Sequence, residues 1–283
     1  MALVTIPYTE VINIHSAHTE ADYQLWVATP RAGVMSMAPA PQGVLYVLDA
    51  NLAFGTAVEM TRLMSELYGE LPPLLIVGIA YETSSPSIQS EMRSRDFTPT
   101  VDSGFGSMAF PGATLPEGRR LGRAHQFLQF LTEEVKPIIE RRYAVAEKPA
   151  TLFGSSLGGL FVLYALLERP DAFGAYIAVS PALWWDDRLL LTRDRGISHE
   201  VRKGKVFLAV GAEEERADIP ALAAFKMVSN VREFERQLRA RNDESLIATT
   251  FVAEGESHTT VIPAALTRAL RGIYPPMKPA WMP

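Results

Sequence analysis

No cysteine occurs anywhere in the chain. Disulfides, thiol nucleophiles and cysteine metal sites are therefore excluded, and redox chemistry marks no compartment. Long runs of basic charge are absent too, and the net charge is -5. Nucleic acid and anionic membrane surfaces are poor partners for such a chain. No apolar run is long enough to span a bilayer. The start, Met1-Ala2-Leu3-Val4-Thr5-Ile6-Pro7, has neither a basic leading segment nor a long apolar one. These absences set the expectation of a cytoplasmic protein that handles a small molecule, with homo-oligomerisation left open. A mature form stripped of its leader would read the same.

What is present is apolar material and alternation. Hydrophobic residues make up 48% of 283 residues, enough for the core of one large α/β domain spanning 1–283. Val11 to Ile14 and Tyr23 to Ala28 read as an antiparallel hairpin at a sheet edge. Val44 to Leu48, Leu74 to Ala80, Ala150 to Phe153, Ala175 to Val179, Val206 to Val210 and Ile247 to Val252 read as strands, most of them continuous apolar runs covered on both faces. Helices are expected over Phe54 to Tyr68, Arg119 to Tyr143 (kinked late by Pro137), Leu157 to Leu167, Pro220 to Arg241 (capped by Asp218) and Val261 to Ile273. This alternation predicts a mostly parallel sheet with helices on both faces and an antiparallel N-terminal hairpin. Tyr81 to Gly118 reads as long and irregular, a lid or loop insertion over about 82–118, and Ser180 to Ile197 as a connection.

The chemistry centres on Gly154-Ser155-Ser156-Leu157-Gly158-Gly159. Strand, tight turn and helix around Gly-x-Ser-x-Gly form the context of a nucleophile elbow. Such a turn strains the central residue, and glycines at 154 and 158 remove side chains that would collide. Ser156 then stands at a helix N-terminus, where the Leu157 N–H points at developing negative charge. A second oxyanion donor is expected from the turn after an earlier strand, at the Asn51 or Leu52 backbone.

A serine hydroxyl needs a base. Of five histidines, His258 follows the last strand in the Glu254-Gly255-Glu256-Ser257-His258 loop, at the edge where parallel strands end together. His15 and His18 lie in the first hairpin, His125 on a helix and His199 near a polar turn. The acid that orients the base should fall between Ser156 and His258 in chain order. Glu213, Glu214 and Glu215 follow Val210 directly; Glu214 is favoured and Glu213 is next. A solvated run of three carboxylates is the bland alternative.

Tyr46-Val47-Leu48-Asp49-Ala50-Asn51, Arg95-Asp96-Phe97-Thr98-Pro99, the elbow, Ser180-Pro181-Ala182-Leu183-Trp184-Trp185-Asp186 and Gly255-Glu256-Ser257-His258 together resemble the esterase D-type branch of the α/β-hydrolase fold. Within it they are similar to the group holding ferric-siderophore esterases and related carboxylesterases. The resemblance implies Ser156 as nucleophile, His258 as base, and Trp184 or Trp185 at the acyl pocket; the alternative is that both tryptophans cover the core. It also implies that some members work with a Ser–His pair alone. His125 stands where relatives often carry an acid. The expected activity is hydrolysis of a small or medium acyl ester through an acyl-enzyme, with no metal or organic cofactor. A siderophore tri-lactone is the alternative substrate; Arg93, Arg95, Arg119 and Arg120 would then meet its negative charge, Arg95 being the residue nominated. A hydrolase-shaped binding protein without turnover is the alternative of another class, and acyl transfer to an alcohol is a further one.

Overall fold

The structure, a computed structural model, describes residues 4–31, 40–67, 69–101, 121–145, 148–192, 204–240 and 246–276. The expected Ser103 to Gly118 loop, Arg119, Arg120 and His199 lie outside the described residues.

Eight strands form one sheet in the order β1-β2-β4-β3-β5-β6-β7-β8. They are β1 (Thr9–Ser16), β2 (Ala21–Ala28), β3 (Gly43–Val47), β4 (Leu74–Tyr81), β5 (Ala150–Ser155), β6 (Ala175–Val179), β7 (Gly204–Gly211) and β8 (Leu246–Ala253). β1 pairs antiparallel with β2, and β2 antiparallel with β4. The pairings from β4 through β8 are all parallel. β3, β4 and β6 are buried along their whole length, as continuous apolar runs in a sheet covered on both faces should be. β1 alternates exposed and partly buried positions, the mark of a solvated edge.

Two apolar layers cover the sheet. One carries α1 (Ala50–Arg62) and the closing helix Val261–Ile273. The other carries α2 (Pro86–Phe97), the 124–143 helical stretch, the elbow helix Leu157–Glu168 and the helix Met227–Ala240. In chain order the remaining helices are α3 (Ala124–Gln129), α4 (Lys136–Tyr143), α5 (Leu157–Glu168), α6 (Trp185–Thr192), α7 (Pro220–Phe225), α8 (Met227–Ala240) and α9 (Val261–Ile273). α5 is apolar all round and buried from Leu157 to Leu166, so it sits inside the layer and not on its surface.

Four sequence expectations are corrected. The segment read as irregular from Tyr81 begins with a helix, α2, started by Pro86 at a first-turn position where a missing N–H costs nothing. Ser180 to Ile197 holds α6, broken by left-handed Asp186, Asp187 and Arg188. A π-helical stretch, Phe130–Val135, comes directly before Pro137, which stands in the first turn of α4. The helix after Asp218 is not capped by it: Pro220 opens α7 behind Ile219, and the Asp218 carboxylate turns to Arg216. That helix also ends at left-handed Lys226, and α8 begins anew.

The parallel strands deliver their C-termini to one edge. Asp49 follows β3, Ser156 follows β5, Ser180 follows β6, Glu214 follows β7 and His258 follows β8. The site is therefore a product of topology more than of any single segment.

The core also holds Tyr23, Tyr46, Tyr81 and Tyr176. Burial raises the ionisation of all four phenols above the ordinary tyrosine value. Since the folded values exceed the unfolded one of about 10, their contribution to stability is complete below that pH and is lost above it. The urea midpoint is expected to fall steeply above about pH 10. Tyrosinate absorbance from these four should rise together with loss of circular dichroism, not before it.

Candidate active site

Ser156 has φ 59 and ψ -120, a strained conformation for a residue with a side chain. Its backbone is held on three sides. Its N–H donates to Val179 C=O at 3.0 Å, and its C=O accepts from Leu160 at 2.9 Å and Ala182 at 3.1 Å. Gly154 explains why the turn can close: a Cβ there would lie 2.4 Å from the Gly158 carbonyl oxygen. A Cβ on Gly159 would lie 3.0 Å from Pro181, so glycine there lets α5 lean closely onto the β6 turn. Gly158 serves differently from the expectation of clearing the elbow itself; its missing Cβ leaves room for the Asp49 carboxylate, 3.2 Å away.

His258 and Ser156 line one cavity of about 350 Å³, together with Leu48, Asp49, Asn51, Leu52, Arg93 and Ile262. The volume suits a small-molecule ligand. No hydrogen bond joins the two side chains, and such contacts commonly tighten only when substrate is bound.

Glu214 is the carboxylate that reaches the imidazole. Its Oε2 lies 2.5 Å from His258 Nδ1. Its Oε1 accepts from Ser180 Oγ at 2.5 Å and from the Gly211 N–H at 2.8 Å. It is 4% exposed, so its oxygens are placed among hydrogen-bond donors and not in water. The 3₁₀ turn Ala212–Glu215 separates the three glutamates. Glu213 turns outward to Arg216, and Glu215 bonds Ser229. A carboxylate bonded at Nδ1 leaves Nε2 for the pocket, the arrangement in which a histidine accepts a proton from a hydroxyl.

The turn after β3 carries the nominated second donor. The Leu52 N–H is spent on the Asp49 C=O at 2.8 Å, so the Asn51 N–H is the one left for a ligand. The Asn51 side chain is pinned, donating to Tyr81 C=O at 3.0 Å and accepting from Tyr81 N–H at 2.8 Å.

Arg95 is not in the cavity wall. It binds Asp96 and reaches the Tyr23 hydroxyl at 2.9 Å, in a buried cluster under α2. Burial raises the Asp96 carboxyl, against the lowering by Arg95 and Tyr23. Arg93, two positions earlier, is the arginine in the wall. Trp185 is fully buried, with its indole N–H donating to Thr100 Oγ1 at 3.2 Å. Trp184 is part-exposed and rests on Phe225, 5.3 Å between centroids. Neither tryptophan lines the cavity, so their place is in the core and its margin. Of the other histidines, His15 pairs with Asp22 and His18 with Glu133 on the far hairpin, and His125 is exposed on α3.

Sequence reasoning missed Ser180, whose hydroxyl is the side-chain donor to Glu214 Oε1; its position directly after a strand, ahead of Pro181, was the available signal. It missed Gly211 as well. A Cβ there would lie 2.2 Å from the Glu256 carbonyl oxygen, so glycine is what lets the His258 loop dock on β7.

A strained serine at a strand–helix turn, sharing a cavity with a histidine bonded to a buried carboxylate, on an α/β sheet of this topology, defines an ester hydrolase of the α/β-hydrolase type. The family model described as "Putative esterase" matches residues 16–248, and the chain belongs to that esterase family. The ferri-bacillibactin esterase BesA of Bacillus subtilis is 37% identical over 280 residues, 94% of this chain and 90% of its own. The crystal structure of the BES protein from Bacillus cereus superposes with a TM-score of 0.79 at 31% identity, covering 97% of this chain and 98% of that one. The siderophore hydrolase EstB from Aspergillus nidulans gives 0.79 at 25% identity, with 99% of each chain covered.

Two substitutions test the acid. Glu214→Ala is expected to lower kcat/KM by roughly 10²-fold or more, while Glu213→Ala stays within about twofold of wild type. Ser180→Ala, which removes one of two donors to Glu214 Oε1, should cost about tenfold. Steady-state kinetics on an activated ester measure all three, and an active Glu214→Ala beside a crippled Glu213→Ala reverses the assignment.

Proposed function

We propose that the protein is a serine esterase that opens ester bonds of a siderophore-type lactone, with Ser156 as nucleophile, His258 as general base and Glu214 as the orienting acid. The observation that carries the mechanism is the chain of contacts from Glu214 Oε2 to His258 Nδ1, in a cavity that His258 shares with Ser156. Support for the substrate class is the 37% identity, over nearly the whole chain, to an esterase named for ferri-bacillibactin.

The steps follow from these positions. His258 Nε2 takes the Ser156 proton as Oγ attacks the ester carbonyl. The resulting oxyanion is met by the Leu157 N–H at the start of α5 and the Asn51 N–H at the start of α1. The imidazolium, held by Glu214, returns its proton to the leaving alcohol. Water, activated by the same histidine, then attacks the acyl-enzyme and frees Ser156. Nothing in this cycle needs a redox change, because every step moves an acyl group or a proton.

A second reading, a generalist carboxylesterase for short acyl chains, is favoured by the cavity volume of about 350 Å³. Hydrolysis of a p-nitrophenyl ester series from acetate to octanoate, beside a ferric trilactone siderophore, separates the two. The expected result is a kcat/KM on the trilactone well above that on any simple ester, and no turnover by Ser156→Ala on either. Preference for acetate with the trilactone untouched would favour the generalist; turnover retained in Ser156→Ala would remove Ser156 from the mechanism.

A further inference from the structure

Two charged residues in the cavity wall, Asp49 and Arg93, have no role in the steps above. Asp49 ends the β3 turn in a left-handed conformation, φ 53 and ψ 43, which residues with a side chain seldom adopt. Its C=O there accepts the N–H groups of Leu52 at 2.8 Å and Ala53 at 3.0 Å, and so shapes the turn that carries Asn51. The Asp49 carboxylate is gripped by a fork. Arg93 Nε donates to Oδ1 at 2.8 Å, and Nη2 to Oδ2 at 2.9 Å. The same Nη2 lies 3.5 Å from the Ser155 carbonyl oxygen, at the end of β5. Oδ2 also sits 3.2 Å from where a Gly158 Cβ would be, against the first turn of α5. The Arg93 guanidinium lies 5.6 Å from the centre of the buried Phe97 ring, and its side chain is 20% exposed. One part-buried ion pair thus touches both backbone turns that an oxyanion has to bridge.

We infer that the Arg93–Asp49 pair is a positioning clamp that fixes the β3 turn against the elbow and so sets the spacing of the Asn51 and Leu157 N–H groups. The inference rests on the reading of Ser156 as nucleophile. It differs from recognition of a negatively charged substrate, because the fork of Arg93 is spent on Asp49 and the pair is neutral overall. An oxyanion exists only near the transition state, so a clamp acts on kcat and on affinity for transition-state analogues, and not on ground-state binding.

The test uses Asp49→Asn, Arg93→Lys and the double variant. Asn tolerates the left-handed backbone of Asp49, so the turn can form while the charge pair is lost. Substrates are the neutral p-nitrophenyl acetate and the anionic p-nitrophenyl hemisuccinate, with an alkylboronate as analogue of the tetrahedral intermediate. Each single variant is expected to lose about 10²-fold in kcat on both esters and a similar factor in boronate affinity, with KM nearly unchanged. The double variant should be no worse than the worse single one, since the two residues act as one unit. Lysine should not rescue, because a point charge lacks the fork. Wild-type kcat in Arg93→Lys, or a loss confined to KM for the hemisuccinate, overturns the clamp and makes Arg93 a charge-recognition residue. If Arg93→Lys melts early, Asp49→Asn alone decides through its boronate affinity. Ser156→Ala separates the two levels: turnover in that variant sinks the nucleophile reading, whereas a dead Ser156→Ala beside fully active clamp variants sinks only the clamp.

Discussion

The geometry of the site depends on one backbone contact, Gly154 against Gly158. With no Cβ at 154, the carbonyl of Gly158 comes within 2.4 Å of where that atom would stand. Strand β5 and helix α5 can then meet at a single residue, and Ser156 takes the strain. A conformation of this kind costs of order 1–3 kcal/mol, and it persists because neighbouring elements over-determine it. Val179 and Ala182 hold the Ser156 backbone from the β6 side, Leu160 from the helix side. Helix α5, apolar and buried over ten residues from Leu157 to Leu166, anchors the turn in the core.

Around that turn the sheet acts as a jig. Parallel strands end on one edge, and each end adds a group: Asp49, Ser156, Ser180, Glu214 and His258 come from β3, β5, β6, β7 and β8 in that order. Register carries the alignment from strand to strand, since Val179 pairs with both Ser155 and Ala209, and Ala209 in turn with Phe251. Glu214 is held tightly and His258 loosely. Glu214 has three partners and almost no exposure, while the His258 side chain is 46% exposed on a loop. The buried carboxylate is thus fixed by its three partners, while the imidazole stays open to solvent on the cavity side.

Charge near the cavity is arranged in closed pairs. Arg93 is spent on Asp49, and Arg95 on Asp96 and Tyr23, on opposite sides of α2. Residues two apart on a helix point about 200° away from each other, which is why one arginine meets the cavity and the other the core. In the Arg95-Asp96-Phe97 stretch the structure shows a largely buried ion pair between Arg95 and Asp96. No described helix is long and apolar enough to cross a membrane.

What the amino-acid sequence determined by itself is what local chemistry encodes. Continuous apolar runs marked the inner strands β3, β4 and β6, because burial on two faces demands such runs. Gly154-x-Ser156-x-Gly158 marked the elbow, because only glycine permits that turn. His258 was legible as the one histidine directly after a C-terminal strand end. The helix at Pro86–Phe97 was not legible, since its weakly amphipathic, polar sequence lacks the apolar period that announces a helix. Nor was the choice among Glu213, Glu214 and Glu215, three identical side chains in a row. Which of them meets His258 depends on a single 3₁₀ turn, with Glu214 bonded to Ser180, Gly211 and His258, residues 34, 3 and 44 positions away. The partners of Arg93 and Arg95, the burial of Trp185 and the spent N–H of Leu52 follow from tertiary structure in the same way. Each depends on which partner lies across space, and partners distant in the chain are chosen only when the sheet has closed its order and the helices have packed against it.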